Sequence, residues 1–410
     1  MTADRSVYRA FQIGLGIFTL TALLGLANAT QLFGALDRNT LLTHLHSGTL
    51  GWITMGVLGV AIWMFGGSGG ALARNVGITG VTTAAYVLAF WSGNFVARAV
   101  FGAIELLVIY AWWWWVVGQA RREGFGRIDT PKLSVTLGLT TLVIGSTIGV
   151  IVQVMFATSN VSDVTGQSIG AHAAAQVGGY LVLVAAGIAE WWLVGPGRPR
   201  SLAASVQVGA LFVGGLLLAI GIYTNVAPLL GIATLFQVIG IVIILVRFGR
   251  RAAGASWTAP TGMRHIAASL LFLVIGLVLE ILLVKEAVSA PAGAQGGPPG
   301  SAGLNHALDH AMFVALMTNA LFGSILLLTA NGPRRWPWAD HVIFWGLNLG
   351  AASFIAVLYF VGSGEGAKPF THPVSYTAPI MGLSALLGIV TLAMRLGAAR
   401  RATQLVTATA

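Results

Sequence analysis

The sequence predicts an all-α integral membrane protein of about twelve transmembrane helices in three four-helix arcs, with both termini in the cytoplasm. Three observations predict it: an apolar composition, a series of membrane-length segments and a lopsided placement of basic residues. Hydrophobic residues make up 56% of the 410-residue chain and charged residues 8%. With a mean hydropathy of +0.84, too little polar surface remains to coat a water-soluble particle. The bilayer is the expected solvent and the lipid its first partner.

The chain divides into about twelve stretches close to the ~20 residues that cross a hydrocarbon core. They run roughly 10–31, 40–65, 74–93, 97–118, 133–156, 168–194, 202–222, 226–247, 263–285, 305–330, 341–362 and 375–396. The first, an apolar helix without a clear small-residue cleavage site, reads as a retained span rather than a signal peptide. No polar interruption is long enough for a soluble domain, so residues 1–410 read as one polytopic membrane domain. The longest, Ser289–Asn305, is rich in glycine and proline and reads as a flexible outer loop.

Basic residues near span ends stay in the cytoplasm. With the N-terminus inside, only Arg38, Arg98, Lys285 and Lys368 of the 22 basic residues fall outside. An odd number of spans would destroy this bias, which supports a multi-pass protein of the cell membrane with both ends inside. The net charge of +10 then reflects topology and attraction to anionic headgroups, and nucleic acid is not an expected partner. There is no cysteine, which excludes disulfides, thiolate-ligated haem and cysteine-held clusters on this chain.

Five of the eight histidines fall near the outer starts of spans two, six and ten: His44 and His46, His172, and His306 and His310. An imidazole is costly in a membrane unless it is bonded or ligates a metal. A weak repeat aligns His44-x6-Gly51-Trp52 with His172-x6-Gly179-Tyr180. Recurrence on every fourth span gives three arcs, roughly 1–130, 131–260 and 261–410, and puts the histidines at one depth. His44 and His46 point about 200° apart on a regular helix, so they serve different neighbours. His306 and His310 share a face, with Asp309 beside them as an acceptor. All five are candidate ligands of iron or another metal.

This arrangement resembles subunit I of the haem-copper oxidase and nitric oxide reductase superfamily. The stretch His44-Leu45-His46-Ser47-Gly48-Thr49-Leu50-Gly51-Trp52 is similar to a histidine motif of the NnrS family, membrane proteins with haem and copper that are linked to nitric oxide. The resemblance implies a haem of b type, with His44 or His46 facing His306 or His310 across it and His172 facing a second centre. It implies electron transfer, or binding of nitric oxide or oxygen, with a cytochrome or another respiratory subunit as partner. The superfamily's adjacent His-His pair after helix seven, its His-Pro-Glu-Val-Tyr segment on helix six and its Arg-Arg pair between helices eleven and twelve are not found here. A copper centre therefore lacks its usual three histidines, and His372 is the replacement candidate. Whether any reaction is catalysed stays open.

Arg38 and Arg98, with Lys368, are candidate partners of haem propionates. Arg98 and Glu105 fall on nearly one helical face, and Glu105, Glu190 and Glu280 lie in apolar segments where a carboxylate invites a functional reading. Glu190, beside Trp191 and Trp192, reads as interfacial. The run Trp112-Trp113-Trp114-Trp115 reads as an aromatic belt, and His265 and His341 as interfacial. Two other classes fit the topology: a twelve-helix secondary transporter and a non-catalytic membrane subunit of a respiratory complex.

Overall fold

A computed structural model describes residues 4–159, 166–289 and 301–409, with backbone alone for 301 and 402–409. The outer loop expected around Ser289–Asn305 falls largely outside the described residues. Within them helix is the only extended regular structure, with no strand. The long helices are α1 (Arg5–Thr30), α2 (Arg38–Phe65), α3 (Gly70–Trp91), α4 (Phe95–Glu123), α5 (Thr130–Thr158) and α6 (Gly166–Val194). They continue with α7 (Leu202–Thr224), α8 (Ala227–Ala253), α9 (Gly262–Ser289), α10 (Ala302–Leu328), α11 (Ala339–Phe360) and α12 (Val374–Arg401). Eleven are long and apolar enough to cross a membrane; α3 has the length, 22 residues. Their boundaries follow the expected spans within a few residues.

Local chemistry explains where the helices start. Asp4, Asp37, Asn94, Asp129 and Ser201 each accept a backbone N–H of the first turn of α1, α2, α4, α5 and α7, satisfying donors that a helix leaves unpaired. Prolines open α5 and α8 within their first two positions, where their missing N–H costs nothing. Asp37 is exposed, and the Thr40 hydroxyl and then the Thr40 amide hold its carboxyl below the ordinary aspartate range.

Burial separates the helices into two classes. The apolar windows of α2, α6 and α10 are 83%, 89% and 78% buried, against 28–56% for the other eight membrane-length apolar helices among the described residues. These three, the histidine helices, form the centre, and the rest surround them with one face left for lipid. In a bilayer no water drives helices together, so interhelical hydrogen bonds and close packing do the joining. Trp52 of α2 donates its indole N–H to Thr318 of α10 at 3.1 Å. Tyr180 of α6 donates to Thr54 of α2 at 3.3 Å, and Trp192 of α6 to Ser324 of α10 at 3.0 Å.

Buried charges are paired toward the other end of the bundle. Glu190 is not interfacial: it is buried in α6, and Arg247 of α8 donates to both its oxygens while also reaching Gln207. Arg395 of α12 donates to both oxygens of Asp340 on α11 at 2.7 Å. His265 likewise departs from its interfacial expectation, being fully buried with its Nδ1 2.8 Å from Asn319 Oδ1, whereas His341 is exposed. The tryptophan run divides by helix face. Trp112 and Trp113 donate to Thr79 and Thr140 inside the bundle, and Trp114 is 62% exposed beneath the Arg121 guanidinium.

Candidate functional site

Each central helix widens into a π-helical segment next to its histidines: Ser47–Thr54 in α2, Ala175–Leu181 in α6 and His310–Leu316 in α10. Such wide turns gather at functional sites, because the extra residue re-aims the side chains before it. The histidines lie within the first three turns of their helices, after the starts at Arg38, Gly166 and Ser301.

Four of the five histidines make the same kind of bond through two different routes. His44 places Nδ1 2.9 Å from the carbonyl of Thr21 on α1, and His172 places Nδ1 2.7 Å from the carbonyl of Gly145 on α5. His46 and His310 turn back onto their own helices, to the carbonyls of Leu42 at 2.8 Å and His306 at 2.7 Å. A carbonyl oxygen only accepts, so Nδ1 carries the hydrogen in all four rings. In a neutral imidazole the lone pair is then on Nε2. This is the tautomer and the anchoring that a metal-ligating histidine uses.

Aromatic neighbours hold the second pair of rings. His46 stacks on Phe90 of α3 with 3.7 Å between centroids and 16° between planes. His310 meets Phe354 of α11 edge-on at 4.8 Å. His306 is exposed and contributes its backbone carbonyl to His310. His372 is half-buried, and its Nδ1 accepts the Val374 amide at 3.3 Å at the start of α12.

His46 and His172 line one cavity of about 260 Å³ between α2 and α6. Its walls are mostly apolar and draw on α3, α4, α5 and α10, the last through Asp309 and Phe313. Arg38, Asn39 and Arg98 line its end nearest the starts of α2 and α4. Arg98 is buried, 2% exposed, with its guanidinium over the rings of Phe90 and Phe95. It donates to Asn39 Oδ1 and to the Phe90 carbonyl, both at 2.7 Å, and its Nε has no partner among the described residues. Arg38 is exposed at the rim.

The shared face of Arg98 and Glu105 does not make an ion pair. Glu105 is buried on the cavity wall and accepts from the hydroxyls of Thr82 at 2.5 Å and Thr83 at 2.7 Å. Sequence reasoning missed Phe90, Phe354, Thr21 and Gly145, all of which position histidines. One signal was readable: Phe90 precedes Phe354 by as many positions as His46 precedes His310.

Among the described residues no group of three or more His, Asp or Glu side chains is placed to hold a metal ion. No protein-family model matches this chain, and no curated protein matches it.

Proposed function

We propose that this protein is a multi-pass membrane cytochrome that holds b-type haem between histidines of its central helices and carries electrons. One observation carries the reading: four histidines of α2, α6 and α10 each give the Nδ1 hydrogen to a backbone carbonyl, which leaves the Nε2 lone pair to ligate. His44 and His310 are the pair for a first haem, one from each of two packed helices. Haem bound there supplies one-electron oxidation and reduction.

The residues fit that group. Two imidazoles satisfy an iron, so no larger ligand cluster is needed. At the cavity lined by His46 and His172, the buried Arg98 guanidinium, with an Nε unpartnered among the described residues and no carboxylate of its own, suits an anionic propionate. Copper is a different matter, because its three-ligand set is not assembled among the described residues, and no step is drawn through it. Held by two imidazoles, such as those of His44 and His310, a haem would supply electron transfer rather than binding of oxygen or nitric oxide.

In this reading the twelve helices form three arcs, 1–130, 131–260 and 261–410, with both termini cytoplasmic by the basic-residue bias. The histidines lie toward the outer face of the cell membrane, where a cytochrome or other respiratory subunit exchanges electrons with them. The test is optical: full-length protein purified from haem-replete cells is expected to show a Soret band and a sharp α band on reduction, without a shift under carbon monoxide. A colourless, iron-free preparation overturns the proposal.

A further inference from the structure

We infer that His46 and His172 form a second bis-histidine haem site, built on the same plan as the His44–His310 pair, and that the third interface between central helices is closed to a cofactor. The inference rests on the haem reading above and adds the number, the ligands and the place of the haems.

The plan is visible in matched positions. His46 precedes His310 by as many residues as Phe90 precedes Phe354 and as Thr54 precedes Thr318. Within these sets the bonding repeats: each histidine donates to the carbonyl four residues back, each phenylalanine meets its histidine ring, and each threonine accepts from an aromatic of the next central helix. Those aromatic donors, Trp52 and Tyr180, are separated by the same interval as His44 and His172. His44 and His172 in turn share their anchor, a carbonyl on the preceding helix at Thr21 or Gly145. A glycine one turn further along, Gly25 or Gly149, makes room for each ring.

The central helices thus carry two kinds of histidine, one held by its own helix and one held by the helix before. Going round from α10 to α2 to α6, each interface receives one of each kind. In this reading His310 and His44 belong to the first, and His46 and His172, which line one cavity, to the second. The second pair lines the cavity described above, with Phe90 behind His46 and Arg98 over Phe90. Two such sites on one plan would each hold a haem between two imidazoles, rather than a haem beside a copper ion.

The interface from α6 to α10 departs from the plan at every matched place. Ala174 stands where His46 and His310 stand. Met312 faces Gly276 as Gln176 faces Gly145, and this register puts Leu308 where His44 and His172 stand. It also puts Glu280 where Gly25 and Gly149 make room for a ring. Val182 and Leu316 replace the hydroxyl and its aromatic donor, and Ala174, Leu308, Val182 and Leu316 are all buried.

Haem counting on the intact chain tests this. Haem per chain, measured as the pyridine complex against amino-acid analysis, is expected to be two in the unaltered protein, with low-spin electron paramagnetic resonance signals alone. His172→Gly and His310→Gly are each expected to retain one haem and the double variant none, and free imidazole in the buffer is expected to restore the lost haem. One haem per unaltered chain, with His172→Gly unchanged and His310→Gly empty, overturns the second site and leaves the proposed function standing. A high-spin haem signal, or haem content unchanged in every variant, also overturns the second site. An unaltered protein without haem overturns both.

Discussion

The imidazole of His172 occupies the space that a side chain at Gly149 would need: a Cβ there would come within 2.7 Å of the ring's Cε1 and 2.8 Å of its Nδ1. His44 stands in the same relation to Gly25, at 2.8 Å from Cε1. These are positions where only hydrogen leaves the histidine seated on its carbonyl. Gly149→Val is therefore expected to push His172 off the Gly145 carbonyl and lower haem content by roughly half, and Gly25→Val to do the same through His44. A loss from overpacking of about 1–3 kcal/mol accompanies each. Haem content per monodisperse chain decides it, and unchanged content in both variants would show that the seating is irrelevant to ligation.

Arg98 gives a prediction about potential rather than occupancy. Its guanidinium is buried at the cavity beside Phe90, and a nearby fixed positive charge favours the reduced, less positive haem. Arg98→Gln removes that charge while keeping a donor for Asn39. The midpoint of one haem is expected to fall by about 60 mV, the equivalent of a tenfold change for one electron, while the other stays put. A redox titration followed in the α band reads both.

The ion pair of Glu190 with Arg247 should reveal itself in stability. Glu190 has 5% of its side chain exposed, so removing its partner strands a charge. Arg247→Met is expected to destabilise the protein by about 3–5 kcal/mol, and a further Glu190→Gln to recover most of that loss. Thermal unfolding in detergent distinguishes this from a surface pair, for which both variants would be nearly silent.

Phe90 is the wall behind His46, stacked at 3.7 Å. Phe90→Leu stays apolar but loses the ring stacking and some volume, at about 1–2 kcal/mol. Haem is expected to remain because the Leu42 carbonyl still holds His46. A fall in unfolding temperature with unaltered haem stoichiometry is the expected result, measured on the same sample.

Much of the scaffold was legible in the sequence. Hydropathy locates a span because a membrane helix must be apolar over a fixed length, and Arg38–Phe65 or Leu202–Thr224 could be read almost to the residue. The choice of His44, His46, His172, His306 and His310 rested on the cost of imidazole in lipid, and the structure bonds four of these rings to carbonyls. What could not be read was partnership. An all-round apolar helix gives no sign of which face meets its neighbour, so the Thr21 and Gly145 carbonyls, the Arg247 partner of Glu190 and the burial of His265 emerged only from packing. The π-helical segments were hidden for a different reason: no residue type demands them, and they form where interhelical contacts on both sides of the wide turn are satisfied at once.

Those wide turns have a consequence for how the central helices tolerate change. An extra residue in a turn shifts the angular phase between the two halves of a helix by about 100°. In α2 and α6 the half beyond the segment is locked into the bundle, whereas the half before it carries the rings; in α10 His310 opens the segment. Deleting one residue from Ser47–Thr54 would restore regular winding without disturbing Met55–Phe65, yet rotate His44 and His46 away from Thr21 and Phe90 together. The wide turn thus works as an indexing joint, setting the azimuth of the histidines independently of the packed core below them.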